Sequence, residues 1–198
     1  TATGGVITWT YDDDGRPLTV TEPRGNVDGA DPADFTSRMS YDQAGNLVAT
    51  TDALGRTTRY GYDALNRNTS VTDAKGNTTR FTYDQADRLS SVRGPDATNP
   101  DQSLRYSYNA DGDVIRETDP LGHSTAMEYD RAGRTVAVTD AIGRRTELVY
   151  DADSQVIEQV TARVVEGDPR VDPNRPHRTI FNTYDTGGRL VKVRQGDD

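Results

Sequence analysis

Aspartate is the residue type here whose spacing first suggests chemistry. Asp12-Asp13-Asp14-Gly15 and Asp111-Gly112-Asp113 bring hard carboxylate oxygens together, the donors that calcium takes. Neither run has the spacing of a dedicated calcium loop, so the expectation is no cofactor, with calcium kept as the one metal weighed. The two histidines, His123 and His177, are too few for a histidine metal cluster and read as solvated turn or loop residues. No serine or acid has a partner in the manner of a catalytic triad, and there is no cysteine to act as nucleophile, thiolate ligand or disulfide. The chain is therefore expected to have no catalytic residues and no metal site, and not to be an enzyme. Asn68-Thr69-Ser70 and Asn77-Thr78-Thr79 fit the glycosylation pattern, but chance matches are expected in a chain this rich in Asn and Thr. Trp9, Tyr60, Phe81 and Tyr106 recur at one position and present flat faces on which a sugar can stack. Cross-strand packing between neighbouring repeats is the simpler use for them.

The elements that position these residues are copies of one unit. Tyr-Asp occurs at Tyr11-Asp12, Tyr41-Asp42, Tyr62-Asp63, Tyr83-Asp84, Tyr129-Asp130, Tyr150-Asp151 and Tyr184-Asp185, with Tyr-Asn at Tyr108. Successive tyrosines are 30, 21, 21, 25, 21, 21 and 34 residues apart, a base period of 21 with three insertions. In the turn Tyr-Asp-x-x-Gly the aspartate accepts from amides just ahead of it, and the fifth place needs a left-handed residue. Gly15, Gly45, Gly112, Gly133 and Gly188 hold that place, while Asn66, Asp87 and Ser154 replace glycine, serine being the poorest fit. A second turn, Thr-Asp-x-x-Gly, follows at Thr51, Thr72, Thr118 and Thr139. Two such turns leave about 13 of each 21 residues for two strands.

The strand entering each Tyr-Asp turn alternates. Two places before the tyrosine stand Trp9, Met39, Tyr60, Phe81, Tyr106, Met127, Leu148 and Asn182; three places before, mostly polar residues, including Arg38, Arg59, Arg80 and Arg105. Period two predicts one covered and one wet face. The leaving strand is expected to do the same, with Leu18 and Val20 or Val136 and Val138 on one side and Thr19 or Lys192 on the other. The fold class is all-β: an antiparallel strip of hairpins. The insertions, roughly 23–35, 94–101 and 166–177, hold seven of the nine prolines and read as loops. All enter at the second turn, so Asp31, Asn99 and Asp172 are expected on one edge, opposite Gly45, Gly133 and Gly188.

Leu, Ile, Val and Phe total 34 of 198 residues at a net charge of −9, the composition of a disordered chain, were the apolar residues not held in fixed columns. The acidic balance without a basic stripe argues against nucleic acid, and no apolar run is long enough for a membrane span. Residues 1–198 read as a single array of about eight repeats cut from a longer protein. Neither end looks like a cap, so self-association through edge strands is expected, unless insertion loops shield the ends.

Tyr62-Asp63…Arg67 followed by Thr72-Asp73-Ala74-Lys75-Gly76, and Arg59-Tyr60-Gly61-Tyr62-Asp63, resemble the repeat of the RHS/YD-repeat family, in eight in-register copies that cover nearly the whole chain outside the insertions. The resemblance implies a β-strip that curls into part of a spiral, hollow shell. In bacterial members such a shell encloses a toxic C-terminal segment, and related shells occur in insecticidal toxin complexes and animal teneurins. It implies a bacterial protein that is secreted or at the cell surface, cytoplasmic before export, whose partners are the rest of the same shell and its cargo. The family's C-terminal core and self-cleavage aspartates are not matched. Asp119-Pro120-Leu121-Gly122 resembles the cleavage motif superficially but sits in register as a second turn. The alternative reading is a cell-surface adhesion module that binds carbohydrate or protein through the aromatic ladder or the loop edge.

Overall fold

The computed structural model describes residues 5–162 and 178–197. The chain forms two compact units, Thr1–Ala97 and Thr98–Asp198. The first contains β1 (Thr8–Tyr11), β2 (Pro17–Thr21), β3 (Thr36–Tyr41), β4 (Leu47–Thr51), β5 (Thr57–Tyr62), β6 (Asn68–Thr72), β7 (Thr78–Tyr83) and β8 (Leu89–Arg93). The second contains β9 (Leu104–Tyr108), β10 (Val114–Thr118), β11 (Ser124–Tyr129), β12 (Thr135–Thr139), β13 (Arg145–Tyr150), β14 (Val156–Ala162), β15 (Arg178–Tyr184) and β16 (Leu190–Asp197). Within each unit every strand pairs antiparallel with its sequence neighbour, as the hairpin reading requires. No α-helix occurs among the described residues.

Both turn types close in the same way. In the first, the Asp63 N–H donates to the Arg67 carbonyl and the Asn66 N–H returns to the Asp63 carbonyl; in the second, Asp73 and Asn77 do the same, with the Gly76 N–H returning. The left-handed place is occupied as the residue types demand: Gly133 has φ 76°, and Asn66, Asp87 and Ser154 have φ 60°, 62° and 63°. The two hairpins differ in one respect that the repeat pattern does not announce. Each Tyr-Asp hairpin carries a register shift at the tyrosine: Ser40 faces Ala49 but Tyr41 faces Leu47, which leaves Val48 as an extra residue on the leaving strand. The hairpins closed by Thr-Asp turns have none. The extra residue is a β-bulge, which bends and twists the strand at each repeat.

The alternation expected of the entering strands holds in β3, β5, β7 and β13, where Met39, Tyr60, Phe81 and Leu148 are half-buried and Arg38, Arg59, Arg80 and Glu147 exposed; in β1 both positions are exposed, and in β9, β11 and β15 both are half-buried. The leaving strands depart from expectation. All five residues of β4, β6 and β8 are half-buried, whichever face they take. A single layer covers neither face fully, so the main shielding comes from the adjacent strands and reaches both sides alike. Ala137 is the one buried apolar side chain among the described residues, and apart from Gly25 the other buried residues are polar: Thr21, Thr36, Ser103, Thr118 and Thr179. Two of their hydroxyl contacts cross between strands, Thr21 to Thr36 at 2.7 Å and Thr118 to Ser124 at 2.8 Å.

In the first unit the insertion with Asp31 joins the end of β2 to the start of β3, on the same edge as the turns at Gly55 and Gly76 and opposite Gly45. It is more ordered than a loop, with 3-10 turns at Pro23–Asn26 and Pro32–Phe35. Gly25 is required there, because a Cβ would lie 2.7 Å from Thr21 and 2.9 Å from Phe35. Asn26 donates to the Val6 carbonyl and accepts from the Thr8 hydroxyl, so this insertion ties down the segment that opens β1. In the second unit Asn99 precedes β9, on the edge of the Gly122 and Gly143 turns and opposite Gly133 and Gly188. Asp172, His177 and the third insertion lie outside the described residues.

Candidate functional site

The motif residues build a clasp that joins one repeat to the next. It starts inside the turn. Asp63 Oδ1 accepts from the N–H groups of Leu65 and Arg67, and its Oδ2 accepts from Arg67 Nε at 2.8 Å. Asp130 does the same with Ala132 and Arg134. The hydrogen bond from the arginine beside each carboxylate holds Asp63 and Asp130 below the usual carboxylate range, against the opposing effect of partial burial. Asn46 serves Asp42 in the same way, and His123 serves Asp119 through Nδ1 at 2.8 Å.

The arginine then reaches forward. Arg16 lies over the Tyr41 ring at 5.1 Å, Arg67 over Tyr83 at 4.8 Å and Arg134 over Tyr150 at 4.7 Å. Arg67 also pairs with Asp87 in the next turn at 2.6 Å, and Arg134 bonds Ser154 at 3.2 Å. The tyrosine reaches back. Its hydroxyl donates to the carbonyl that opens the leaving strand of the preceding repeat: Tyr41 to Pro17, Tyr62 to Leu47, Tyr83 to Asn68, Tyr129 to Val114, Tyr150 to Thr135 and Tyr184 to Val156, at 2.6–3.0 Å. Tyrosine, aspartate and arginine thus lock adjacent hairpins at one edge. The second turns lack the tyrosine, and Arg56 and Arg144 there are 67% and 57% exposed, against 25–31% for Arg16, Arg67, Arg88 and Arg134; Arg189, in the last Tyr-Asp turn, is exposed too.

These contacts account for the residues singled out by spacing. Asp12 and Asp14 are both paired with Arg16, and Asp113 accepts from the Asn109 amide. No group of three or more acidic, histidine or cysteine residues is placed to hold a metal among the described residues. His123 is exposed and occupies the arginine position of its turn. Asp119-Pro120-Leu121-Gly122 closes as an ordinary second turn. The Asn68 amide bonds the Ser70 carbonyl and the Asn77 amide bonds Asp73. Of the aromatic ladder, Tyr60 faces Val71 and Phe81 faces Val92, both half-buried, whereas Trp9 is 48% exposed beside Val20. Tyr106 faces Glu117, and burial, with that carboxylate added, pushes its hydroxyl above the usual tyrosine range. An open concavity of about 580 Å³ lies on the ladder face of the first unit, lined by Met39, Thr50 and Thr58 and rimmed by Asp52, Arg56 and Lys75.

Spacing by itself gives the arginine of the clasp no role, although Arg16, Arg67, Arg88, Arg134 and Arg189 recur five places after a motif tyrosine. Arg38, Arg59 and Arg80 likewise recur three places before it, and the strands align them.

The RHS repeat model matches residues 41–76, 68–98, 108–141 and 129–163. Among solved structures, the Photorhabdus luminescens Tc holotoxin pore superposes with a TM-score of 0.65 at 19% identity, covering 98% of this chain and 11% of that one. TcdB2-TccC3 without its hypervariable C-terminal region gives 0.65 at 18% identity, with 98% and 11% covered. TcdB2-TccC3 itself gives 0.64 at 18%, with 98% and 12% covered. At such identities the likeness is one of fold, and the chain spans only 11–12% of the length of these proteins. No curated protein sequence matches it.

Proposed function

The chain belongs to the RHS-repeat family, and from that premise we propose that it forms part of the wall of an RHS-type β-shell which encloses or presents another polypeptide. One observation carries the reading. The polar residues of the Tyr-Asp turn are occupied in joining one repeat to the next: each motif aspartate closes its own turn, and arginine and tyrosine span to the neighbouring hairpin. Residues consumed in this way build a wall rather than a reaction centre. A shell that holds a toxin-like C-terminal segment also fits a secreted or surface location.

Limited proteolysis of the full-length polypeptide tests the proposal. With the wall intact, the segment beyond the repeats resists protease. Tyr62→Ala with Tyr83→Ala, which removes two adjacent clasps, is expected to expose it to digestion. Equal digestion in both proteins refutes enclosure.

A further inference from the structure

The strands of the first unit segregate charge completely. Among the residues of β1 to β8 the only charged side chains are Arg38, Arg59, Arg80 and Arg93; the acidic residues of the unit lie in turns and in or beside the insertions. Register places all four arginines on one face. Arg38 faces Thr51, which faces Thr57; Arg59 stands two residues beyond and faces Thr72. Thr72 faces Thr78, and Arg80 stands two residues beyond that and faces Arg93. The hydroxyl contacts Thr51–Thr57 and Thr72–Thr78, both 2.9 Å, confirm that these residues share a side.

None of the four arginines makes an ion pair among the described residues, in a chain whose net charge is −9. Arg38, Arg59 and Arg80 are exposed. Arg80 and Arg93 stand directly opposite each other, an arrangement that destabilises a sheet unless an anion lies between them. The acidic turn residues do not supply one, because Asp52, Asp63 and Asp84 are engaged by Arg56, Arg67 and Arg88 of their own turns.

We infer that this arginine face docks an extended acidic polypeptide segment. Guanidinium groups bind carboxylates through paired N–H donors, which suits side-chain carboxylates presented one at a time. Arg38, Arg59 and Arg80 recur on every second strand, each two residues further along than the last, so they stand about 12 Å apart at ordinary strand spacing and rise. In an extended strand residues four apart share a face at about 13 Å, so acidic residues at every fourth position follow the row within reach of the long guanidinium side chains. A single-stranded nucleic acid needs aromatic platforms beside its cations, and Trp9, Tyr60 and Phe81 are on the opposite face. A lipid surface needs a large apolar anchor, whereas the residues facing Arg38, Arg59 and Arg80 are Thr19, Thr51, Ala49, Thr72, Ser70 and Arg93. The inference stands on charge placement and does not depend on enclosure of a cargo.

The test uses the 198-residue chain and a fluorescent peptide of Glu-Ser-Thr-Ser repeats. Controls are a permuted peptide of the same composition with its glutamates contiguous, and a single-stranded oligonucleotide. Anisotropy is expected to show binding that prefers glutamates at every fourth position over contiguous ones and weakens with salt. Arg38→Gln/Arg59→Gln/Arg80→Gln is expected to weaken it at least about tenfold, while circular dichroism and the melting temperature stay at wild-type values. Lys75→Gln, which removes an exposed charge from a turn, leaves affinity within about twofold. No binding by the wild type, equal loss with Lys75→Gln, a triple variant that loses its β-sheet spectrum, or an oligonucleotide that binds as tightly as the peptide each overturns the inference.

Discussion

Tyr83 gives the sharpest test of the clasp. Its hydroxyl donates to the Asn68 carbonyl at 2.7 Å, its ring lies under Arg67 at 4.8 Å, and it is half-buried. Tyr83→Phe removes only the hydrogen bond, a net loss of about 1 kcal/mol. Tyr83→Ala removes that, a cation–π contact of about 0.5–1 kcal/mol, and the burial of a half-covered ring, roughly 1–1.5 kcal/mol, for a total of about 3 kcal/mol. In a chain of this length each kcal/mol moves the melting temperature by about 2–4 °C, so Phe lowers it by roughly 2–4 °C and Ala by roughly 6–12 °C. Tyr11 occupies the same motif position but is 57% exposed and makes none of these contacts among the described residues. Tyr11→Ala therefore stays within about 0.5 kcal/mol of wild type. Urea titrations and thermal melts followed by circular dichroism supply all the values. Equal losses at Tyr11 and Tyr83, or no change in Tyr83→Phe, refute the clasp as the device that joins repeats.

Further outcomes follow from the turns and the hydroxyl pairs. Ten turn aspartates, among them Asp42, Asp63, Asp73 and Asp130, have pKa values lowered in the fold. The unfolded chain, with carboxylates near about 3.9, then binds more protons in acid, so stability is full above about pH 5 and falls as pH drops through the lowered values; melting temperatures that stay constant from neutral pH to about pH 3 contradict this. Gly133 has φ 76° with open space where a methyl would stand, so Gly133→Ala costs only backbone strain, about 1–2 kcal/mol, whereas Ser154→Gly at φ 63° stabilises by up to about 1 kcal/mol; thermal melts of the two variants that shift in the same direction contradict this. Thr72 and Thr78 share a hydroxyl contact at 2.9 Å, and a double-mutant cycle to Ala is expected to give a coupling of about 0.2–1 kcal/mol; zero coupling means the pair is incidental.

What the sequence determined by itself is local. Aspartate at the second place of each turn and glycine at the fifth specify a reversal whose bonds close within four residues, so Asp63 with Arg67 or Asp73 with Asn77 is readable without any knowledge of neighbours. The period of 21 and the confinement of insertions to one turn type then dictated antiparallel hairpins with loops on one edge of each unit. Tertiary structure decided everything that crosses between repeats. The Tyr83 hydroxyl finds a carbonyl 15 residues back, and Arg67 finds a ring 16 residues ahead. Each motif tyrosine also carries a bulge, which resets the register by one residue and has no composition signal of its own. The core also escaped the pattern: alternation promised a covered face, but one layer of sheet has nothing to cover it with, and burial passes instead to threonine hydroxyls between strands. The arginine row was written in the sequence at a fixed place in three successive repeats, yet only strand register turned the spacing of Arg38, Arg59 and Arg80 into a single cationic face and set Arg93 opposite Arg80, because a side chain's face in a sheet is fixed by pairing and not by its position along the chain.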